Sequence, residues 1–399
     1  MNKIALGVSS SISIYKACEI IRLFQKDGFK VRVIMTEKAT QFINPSLFDS
    51  LTGERTIVEL FDRQHRPIEH ISLADEISLL LIAPATANVI GKMAWGVADD
   101  FLSTFYLAVK CPVLVAPAMN EAMFKHPQTQ ENIKKMKGQG VEFVEPESGY
   151  LACSKEGLGR LAAPDKIVNQ SLRLIRSQEV FKNRVVLVTA GPTREFLDPV
   201  RFVSNPSSGK MGFELAKEAY QLGAEVILIS GPVNLEPPSG VYLERVRTAE
   251  EMKLAVLKHY SRAEVVLMAA AVADFRFKKY QPGKIRKEVL SRTLEIEQTP
   301  DILEELGKNK NQQLLIGFAA ETGQVADKAM EKMLRKKLDL IVANDVSSSE
   351  IGFESDDNEV WLLWPDGRSK KTSRLSKRKI SQQIFQEIGL LLNERKRKI

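Results

Sequence analysis

The sequence predicts an α/β fold in two domains, each organised on a mainly parallel sheet. Three observations carry that expectation. At 399 residues the chain is too long for one ordinary core. Runs such as Ser78 to Ala83 and Pro112 to Ala116 are almost wholly apolar, as in strands covered on both faces. Such runs alternate with segments whose apolar residues recur at helical spacing, in both halves of the chain. With 44% hydrophobic and 27% charged residues, the composition is globular rather than disordered.

Composition also narrows the function classes. The three cysteines, Cys18, Cys111 and Cys153, form no C-x-x-C pair, which fits a reducing cytoplasm and points to no zinc site. Met1-Asn-Lys-Ile runs straight into a strand without a signal-peptide pattern, and no apolar run is long enough to span a bilayer. A cytoplasmic chain with no membrane partner is expected. The formal net charge is +7, and much of the excess falls in Arg395 to Lys398 and in Lys370, Lys371, Lys377, Arg378 and Lys379. Such runs are ordinarily solvated faces, and few aromatics are interleaved with them, so no nucleic-acid partner is expected. A basic chain equally attracts anionic small molecules.

In the first half, Lys3 to Val8 reads as a strand and Ile14 to Gln25 as a helix with Ile20, Ile21 and Phe24 on one face. Between them Ser9, Ser10 and Ser11 stand at a helix N-terminus, where hydroxyls and N–H groups can cradle a phosphate. The pattern is not G-x-G-x-x-G, which argues against a dinucleotide there. Val31 to Met35 is the next strand, ending in Thr36, and a weakly patterned stretch follows as far as Pro67. His70 sits where a short helix starts and serves equally well as a helix-end histidine or a functional one. The apolar strand to Ala83 leads into Pro84-Ala-Thr-Ala-Asn88, at the carboxyl end of a strand, where open α/β sheets place ligands. Gly91 to Lys110 reads as one helical stretch. Pro112 to Ala116 ends in a second loop, Pro117 to Asn120. Asn120 can hold a carboxylate or simply cap a helix. Gly149 to Leu161 is glycine-spaced and polar, a mobile flap rather than an element, with Cys153 as a partly exposed thiol or an incidental one. From Ser171 to Asn183 an apolar helix passes into polar residues, which divides the domains as 1–182 and 183–399.

The second half opens on a long stretch. Val185 to Thr189 is a buried strand and Phe213 to Leu222 a helix closed by Gly223. The loop between them carries Asn205, Ser207, Ser208, Gly209 and Lys210, an anion-binding composition at a helix N-terminus or a plain connection. It is not a P-loop, because Ser204 replaces the first glycine and Met211 follows Lys210. Glu225 to Ile229 is a strand, Ala249 to His259 a helix, and Val265 to Ala271 a strand whose small residues admit a base or sugar beside Asp274. Lys284, Arg286 and Lys287 form a basic cluster that alone reads as solvated. Thr299 and Pro300 are expected as cap and first residue of the next helix. Leu314 to Phe318 and Leu340 to Val342 are strands. Lys332 and Lys336, four apart, share a helix face, as a phosphate-reaching pair or an exposed stripe. Glu359 to Trp364 with the turn Pro365 to Arg368 reads as a hairpin.

His70, Pro84 to Asn88, Pro117 to Asn120 and the Cys153 segment, in that order, resemble the flavin-containing cysteine decarboxylases. The Val185 to Gly212 stretch resembles the partner half of the same enzymes of coenzyme A synthesis. Together they are similar to the bifunctional phosphopantothenoylcysteine decarboxylase/phosphopantothenate–cysteine ligases of bacteria, over nearly the whole chain. The resemblance implies two Rossmann-like domains, the first flavodoxin-like. It implies FMN in that first domain, with the phosphate near Ser9, Ser10 and Ser11 and the ring near Thr36, Pro84, Ala85, Thr86 and Asn88. It gives His70 the role of base, Asn120 that of carboxylate holder and Cys153 that of proton donor. Members of the family often carry Gly-Gly where this chain has Ser10-Ser11, and a φ above zero there would strain serine. For the second domain it implies a CTP site made by Met268, Ala269, Ala270, Asp274, Lys284, Pro300, Asp301, Ile302, Leu303, Phe318, Lys332 and Lys336. Asn205 would bind the phosphopantothenate carboxylate region and Lys284 would neutralise charge, with Mg2+ whose protein ligands the sequence does not identify. Its small-molecule partners are then 4′-phosphopantothenate, L-cysteine and CTP. A homo-oligomer is also implied, through trimeric contacts in the first domain and dimeric contacts in the second.

Overall fold

The computed structural model describes residues 3–60, 69–150, 156–286, 293–345 and 355–398. The chain divides into two compact units, Met1–Arg176 and Ser177–Ile399. The division falls before Ser177 rather than after Lys182 because Val180 and Phe181 are buried in the second unit's core, where Phe181 meets Phe385 edge-on.

In the first unit, β1 (Lys3–Val8), β2 (Lys30–Met35), β3 (Leu79–Ala85), β4 (Val113–Pro117) and β5 (Glu142–Phe143) form one parallel sheet in the order β2-β1-β3-β4-β5. This is the flavodoxin order, and it reverses direction between β1 and β3. Alternate strand residues serve opposite faces. Ile4, Leu6 and Val8 pack with α1 (Lys16–Lys26) and α8 (Pro164–Arg176). Ala5, Leu80 and Ile82 pack with α4 (Ala87–Trp95), α5 (Phe101–Ala108) and α7 (Pro127–Gly138). The short helices α2 (Pro45–Thr52), α3 (Glu69–Glu76) and α6 (Glu121–Lys125) complete the unit.

Two expectations change here. Gly91 to Lys110 is not one helix. Gly96, at φ 68°, closes α4, and Asp100 opens α5 by accepting from Ser103 N at 2.8 Å in a reciprocal capping box. The glycine-spaced segment is not simply a flap either. Its arms are an antiparallel pair, β6 (Glu147–Tyr150) and β7 (Glu156–Arg160). The glycines allow close packing: Gly159 has φ +136°, and a Cβ there would lie 2.3 Å from Met119 O.

The second unit's main sheet has the order β12-β11-β8-β13-β16-β17-β19-β20. Its strands are β8 (Val185–Ala190), β11 (Glu225–Ser230), β12 (Tyr242–Arg245), β13 (Val265–Met268), β16 (Leu314–Glu321), β17 (Leu340–Asp345), β19 (Val360–Leu363) and β20 (Ser369–Lys371). The first six in chain order run parallel and take the dinucleotide-fold order, reversing between β8 and β13. β19 and β20 add antiparallel, the hairpin expected around Pro365. Small pairs β9 (Arg194–Phe196) with β10 (Phe202–Ser204), β14 (Phe275–Phe277) with β15 (Ile296–Gln298), and β18 (Asp357–Asn358) with β21 (Leu375–Ser376) stand apart. On one face lie α9 (Lys210–Gln221) and α13 (Lys377–Lys398). On the other lie α10 (Ala249–Tyr260), α11 (Ile302–Lys308) and α12 (Val325–Arg335).

The strand expected to reach Ala271 stops at Met268. The cap of α11 is Asp301, accepting from Glu304 N at 3.0 Å, rather than Thr299. Thr299 instead donates its hydroxyl to Ala273 O. Among the described residues no helix is long and apolar enough to cross a membrane.

Helix α9 lies against β8 because Gly212 has no side chain; a Cβ there would meet Ala190 Cβ at 2.5 Å and Thr189 O at 2.9 Å. Gly212→Ala is therefore expected to destabilise the second unit by about 1–3 kcal/mol through overpacking. Gly138→Ala, in open space at the end of α7, should be neutral or stabilising by up to about 1 kcal/mol. Urea-unfolding midpoints of the two variants check both signs.

Candidate active sites

In the first unit the carboxyl ends of β1 and β3 face each other across the reversal point. Ser9, 1% exposed, joins them: its hydroxyl donates to Pro84 O at 2.8 Å and accepts from Thr86 N at 3.0 Å. Its proton is committed, so Ser9 positions the loop while Ser10 and Ser11 face a cavity of about 390 Å³. Ser11 caps the 3₁₀ turn Ile12–Tyr15, accepting from Ser13 N at 3.4 Å, and its Oγ lies 3.0 Å from Ser13 Oγ. Its φ is −133°, and neither Ser10 nor Ser11 has a positive φ, so serine is unstrained at both positions.

Thr86 and Asn120 reach the same cavity. Asn120 is also the cap of α6, accepting from Ala122 N at 2.8 Å, so it caps a helix and borders the cavity at once. Thr36, just past β2, has a buried Oγ1 with no protein hydrogen-bond partner. Pro84 and Ala85 are buried in β3, and Asn88 is exposed on α4. His70 lies on α3 with its ring edge-on to Phe101, centroids 6.4 Å apart, and is not among the residues lining the cavity. Cys153 lies outside the described residues.

Two cavity cations escaped the sequence. Lys16, 7% exposed, donates to Leu161 O at 3.0 Å, and burial together with the nearby Arg160 charge pushes its pKa down. Lys16 sits in a segment read for its apolar face, and Arg160 in one read for its glycines.

In the second unit the loop after β13 is pinned to the end of β8. Ala270 N donates to Thr189 Oγ1 at 3.1 Å and Ala273 N to Thr193 Oγ1 at 3.0 Å. Ala271 N donates to Gly191 O at 2.9 Å, and Asn205 Nδ2 to Val272 O at 3.0 Å. This loop floors a cavity of about 630 Å³ at the reversal point. Asn205, Met268, Ala269, Ala270, Asp274, Pro300, Asp301, Ile302, Leu303, Phe318, Lys332 and Lys336 all line it. Lys336 caps the C-terminus of α12 and reaches Asp301 at 2.7 Å. Burial opposes ionisation of Asp301, but Lys336 and Glu304 N outweigh it and hold the carboxyl below its usual range. Burial, then the Lys336 charge, lowers the pKa of Lys332. The pair is thus a cavity feature rather than an exposed stripe.

Lys284 is the exception. It is exposed and does not line the cavity. Its loop is tied to the fully buried Asp198, which accepts from Val200 N and Arg201 N at 2.8 Å each, from Arg201 Nη1 at 3.1 Å and from Ile285 N at 3.2 Å. Arg286 is exposed beside it, and Lys287 lies outside the described residues. Lys210, Asn344, Asn358 and Lys377 line the cavity and were not assigned from sequence. They lie far apart along the chain, and only Lys210 carried a signal, beside the Ser-Ser-Gly of its loop. Among the described residues no group of three or more His, Cys, Asp or Glu is placed to hold a metal.

A flavodoxin-ordered unit and a dinucleotide-ordered unit, each with a cavity at its reversal point, define a two-domain α/β enzyme that acts on small molecules. Residues 1–176 match the family described as Flavoprotein, and residues 181–391 match the DNA/pantothenate metabolism flavoprotein C-terminal domain. The chain is 45% identical over 392 residues to the coenzyme A biosynthesis bifunctional protein CoaBC of Bacillus subtilis (strain 168), covering 97% of each. It is 40% identical over 401 residues to the protein of that name from Escherichia coli (strain K12), covering 99% of this chain and 98% of that one. The crystal structure of a CoaBC C-terminal domain is 41% identical, covers 54% of this chain and all of that one, and superposes with a TM-score of 0.48. The chain belongs to the family of coenzyme A biosynthesis bifunctional proteins, and its first unit is a flavoprotein domain.

Backbone donors from Val200, Arg201 and Ile285, with the Arg201 charge, overcome burial and hold the Asp198 carboxyl below its usual range. The anchor is therefore intact at neutral pH and is lost only as pH falls below the ordinary carboxylate range. Asp198→Ala is expected to release the Lys284 loop at neutral pH. Limited trypsin digestion should then cleave after Lys284 or Arg286 several-fold faster than in the parent chain, while far-UV circular dichroism is unchanged.

Proposed function

We propose that the chain carries out two successive steps of coenzyme A biosynthesis. The second unit joins 4′-phosphopantothenate to L-cysteine at the expense of CTP, and the first unit decarboxylates the product to 4′-phosphopantetheine. The observation that carries this reading is the second cavity, where every residue expected for the nucleotide site except Lys284 converges.

In the second unit the substrate carboxylate attacks the α-phosphorus of CTP, forming an acyl-cytidylate and releasing pyrophosphate. The cysteine amine then displaces CMP. The small side chains of Ala269 and Ala270 leave room for base or sugar, and Asp274 accepts hydrogen bonds from them. Lys332, half-buried, and Lys336, buried, supply positive charge to the phosphates, and their partial removal from water strengthens the effect. Asn205 keeps one N–H of its Nδ2 on Val272 O and would face the acyl group with the rest of its amide. Lys284 approaches the α-phosphate from the anchored loop. The described lining acids are Asp274 and Asp301, the latter paired with Lys336, so Mg2+ fits this cavity mainly through the oxygens of the substrate phosphates.

The first cavity would hold FMN through the phosphate cradle that Ser10 and Ser11 offer, with Thr86 beside it. Thr36, whose buried hydroxyl has no protein partner, does not line that cavity and would meet the cofactor only from the neighbouring end of β2. Bound FMN supplies the two-electron oxidation that makes loss of CO2 from a cysteinyl group accessible. Asn120 holds the substrate carboxylate, His70 accepts a proton and Cys153 donates one. A cytoplasmic setting and a homo-oligomeric state belong to this reading, and the free thiols of Cys18 and Cys111 are in keeping with the first.

Mixing the protein with phosphopantothenate, L-cysteine, CTP and Mg2+ should yield phosphopantetheine by mass spectrometry. Neither phosphopantetheine nor phosphopantothenoylcysteine appearing would overturn the reading. Lys284→Gln should slow CTP-dependent pyrophosphate release by about 10²-fold. Decarboxylation of added phosphopantothenoylcysteine should remain at the parent rate.

A further inference from the structure

The second cavity has two cationic sides, contributed by helices on opposite faces of the sheet. Lys332 and Lys336 come from α12, whose apolar face packs with β13 residues Val266 and Met268. Lys210 opens α9 and Lys377 opens α13, and those helices pack on the other face with Val265 and Leu267. The two pairs meet only at the carboxyl edge of the sheet, around one cavity. On the α12 side the lining acids Asp274 and Asp301 accompany the two lysines. On the α9–α13 side, Asn344 and Asn358 accompany Lys210 and Lys377. Lys377 is 5% exposed, and Lys210 is ion-paired at 2.6 Å with Asp356, a carboxylate whose own side chain is 86% exposed.

We propose that Lys210 and Lys377, with the amides of Asn344 and Asn358, form a second phosphoryl-binding subsite in this cavity, distinct from the Lys332–Lys336 side. The inference rests on the CTP-dependent ligase reading above. Two ammonium groups lining one cavity repel, and burial with the Lys210 charge pushes Lys377's pKa down while Asp356 pulls it up. A bound phosphoryl group reverses that repulsion and accepts the donors of both lysines and both amides. Lysine suits the role, as a point charge that meets a phosphate without a fixed fork. The reaction brings two phosphorylated molecules into one cavity, and a second cationic side keeps their charges apart while the carboxylate approaches the α-phosphorus. The phosphoryl group is either the phosphate of the acid substrate or the far end of the nucleotide triphosphate.

Lys377→Met and Lys210→Met in the full chain distinguish these sources. Pyrophosphate release is measured while CTP and phosphopantothenate are varied separately. Loss of one charged contact should raise one KM about 10- to 100-fold with a smaller change in kcat. A rise confined to phosphopantothenate assigns the acid's phosphate, and a rise confined to CTP assigns the triphosphate. Tripolyphosphate and inorganic phosphate give a readout independent of turnover. At least one should raise the parent's melting temperature, and should do so less in both variants. If Lys377→Met fails to fold, Lys210→Met carries the test. Both KM values within twofold of the parent, with undiminished protection by the anions, would overturn the subsite. Absence of pyrophosphate release from the parent chain, with anion protection lost in the variants, would instead overturn the ligase reading and leave the subsite standing.

Discussion

Both units hang on a buried hydroxyl at the carboxyl end of the first strand. In the first unit it is Ser9, which holds Pro84 O and Thr86 N across from β1. In the second it is the threonines Thr189 and Thr193, which receive Ala270 N and Ala273 N across from β8. In each case the bond bridges the point where strand order reverses, so the chain leaves the two neighbouring strands toward opposite faces and a crevice must open. Backbone groups at such a crevice have lost their ladder partners, and an orphaned buried N–H costs about 1–3 kcal/mol. The hydroxyl satisfies that group and fixes the loop in one operation. Every cavity-lining residue on the β3 and β13 loops inherits its position from it.

The two cavities then diverge by what their helices contribute. The first is lined by serines, Met119, Asn120 and two cations, Lys16 and Arg160. The second collects lysines from α9, α12 and the start of α13. A formal excess of seven positive charges over the whole chain is thus not merely a solvated coat. Part of it is turned inward, where low exposure makes each charge count for more than the same residue on the rim.

Much of this was legible in the sequence because the decisive signals are local. Residues 185–188 and Leu79–Ala85 are continuous apolar runs of the kind found in doubly covered strands. The loops after them follow from strand direction alone. The misread positions are those where one residue does a different local job. Gly96 breaks a helical pattern by its φ, and Asp301 caps α11 because Thr299 is drawn away to Ala273 O. The cavity partners Lys16, Arg160 and Lys377 were hidden for another reason: their neighbours in space lie on elements far away in the chain. Lys377 in particular sits in a basic run that composition assigns to solvent, and it is buried only because α13 packs on α9.

The last strand of the second sheet has a further consequence. β20 is an edge, and its three residues Ser369, Lys370 and Lys371 are exposed. An edge strand offers unpaired amides and carbonyls to any other extended chain. Here an approaching strand must displace Lys370 from Glu387 and Lys371 from Glu359, and then lie along a line of ammonium groups. The strand is also too short to hold a long partner. The sheet therefore ends at β20, an edge that is a poor template for one more strand.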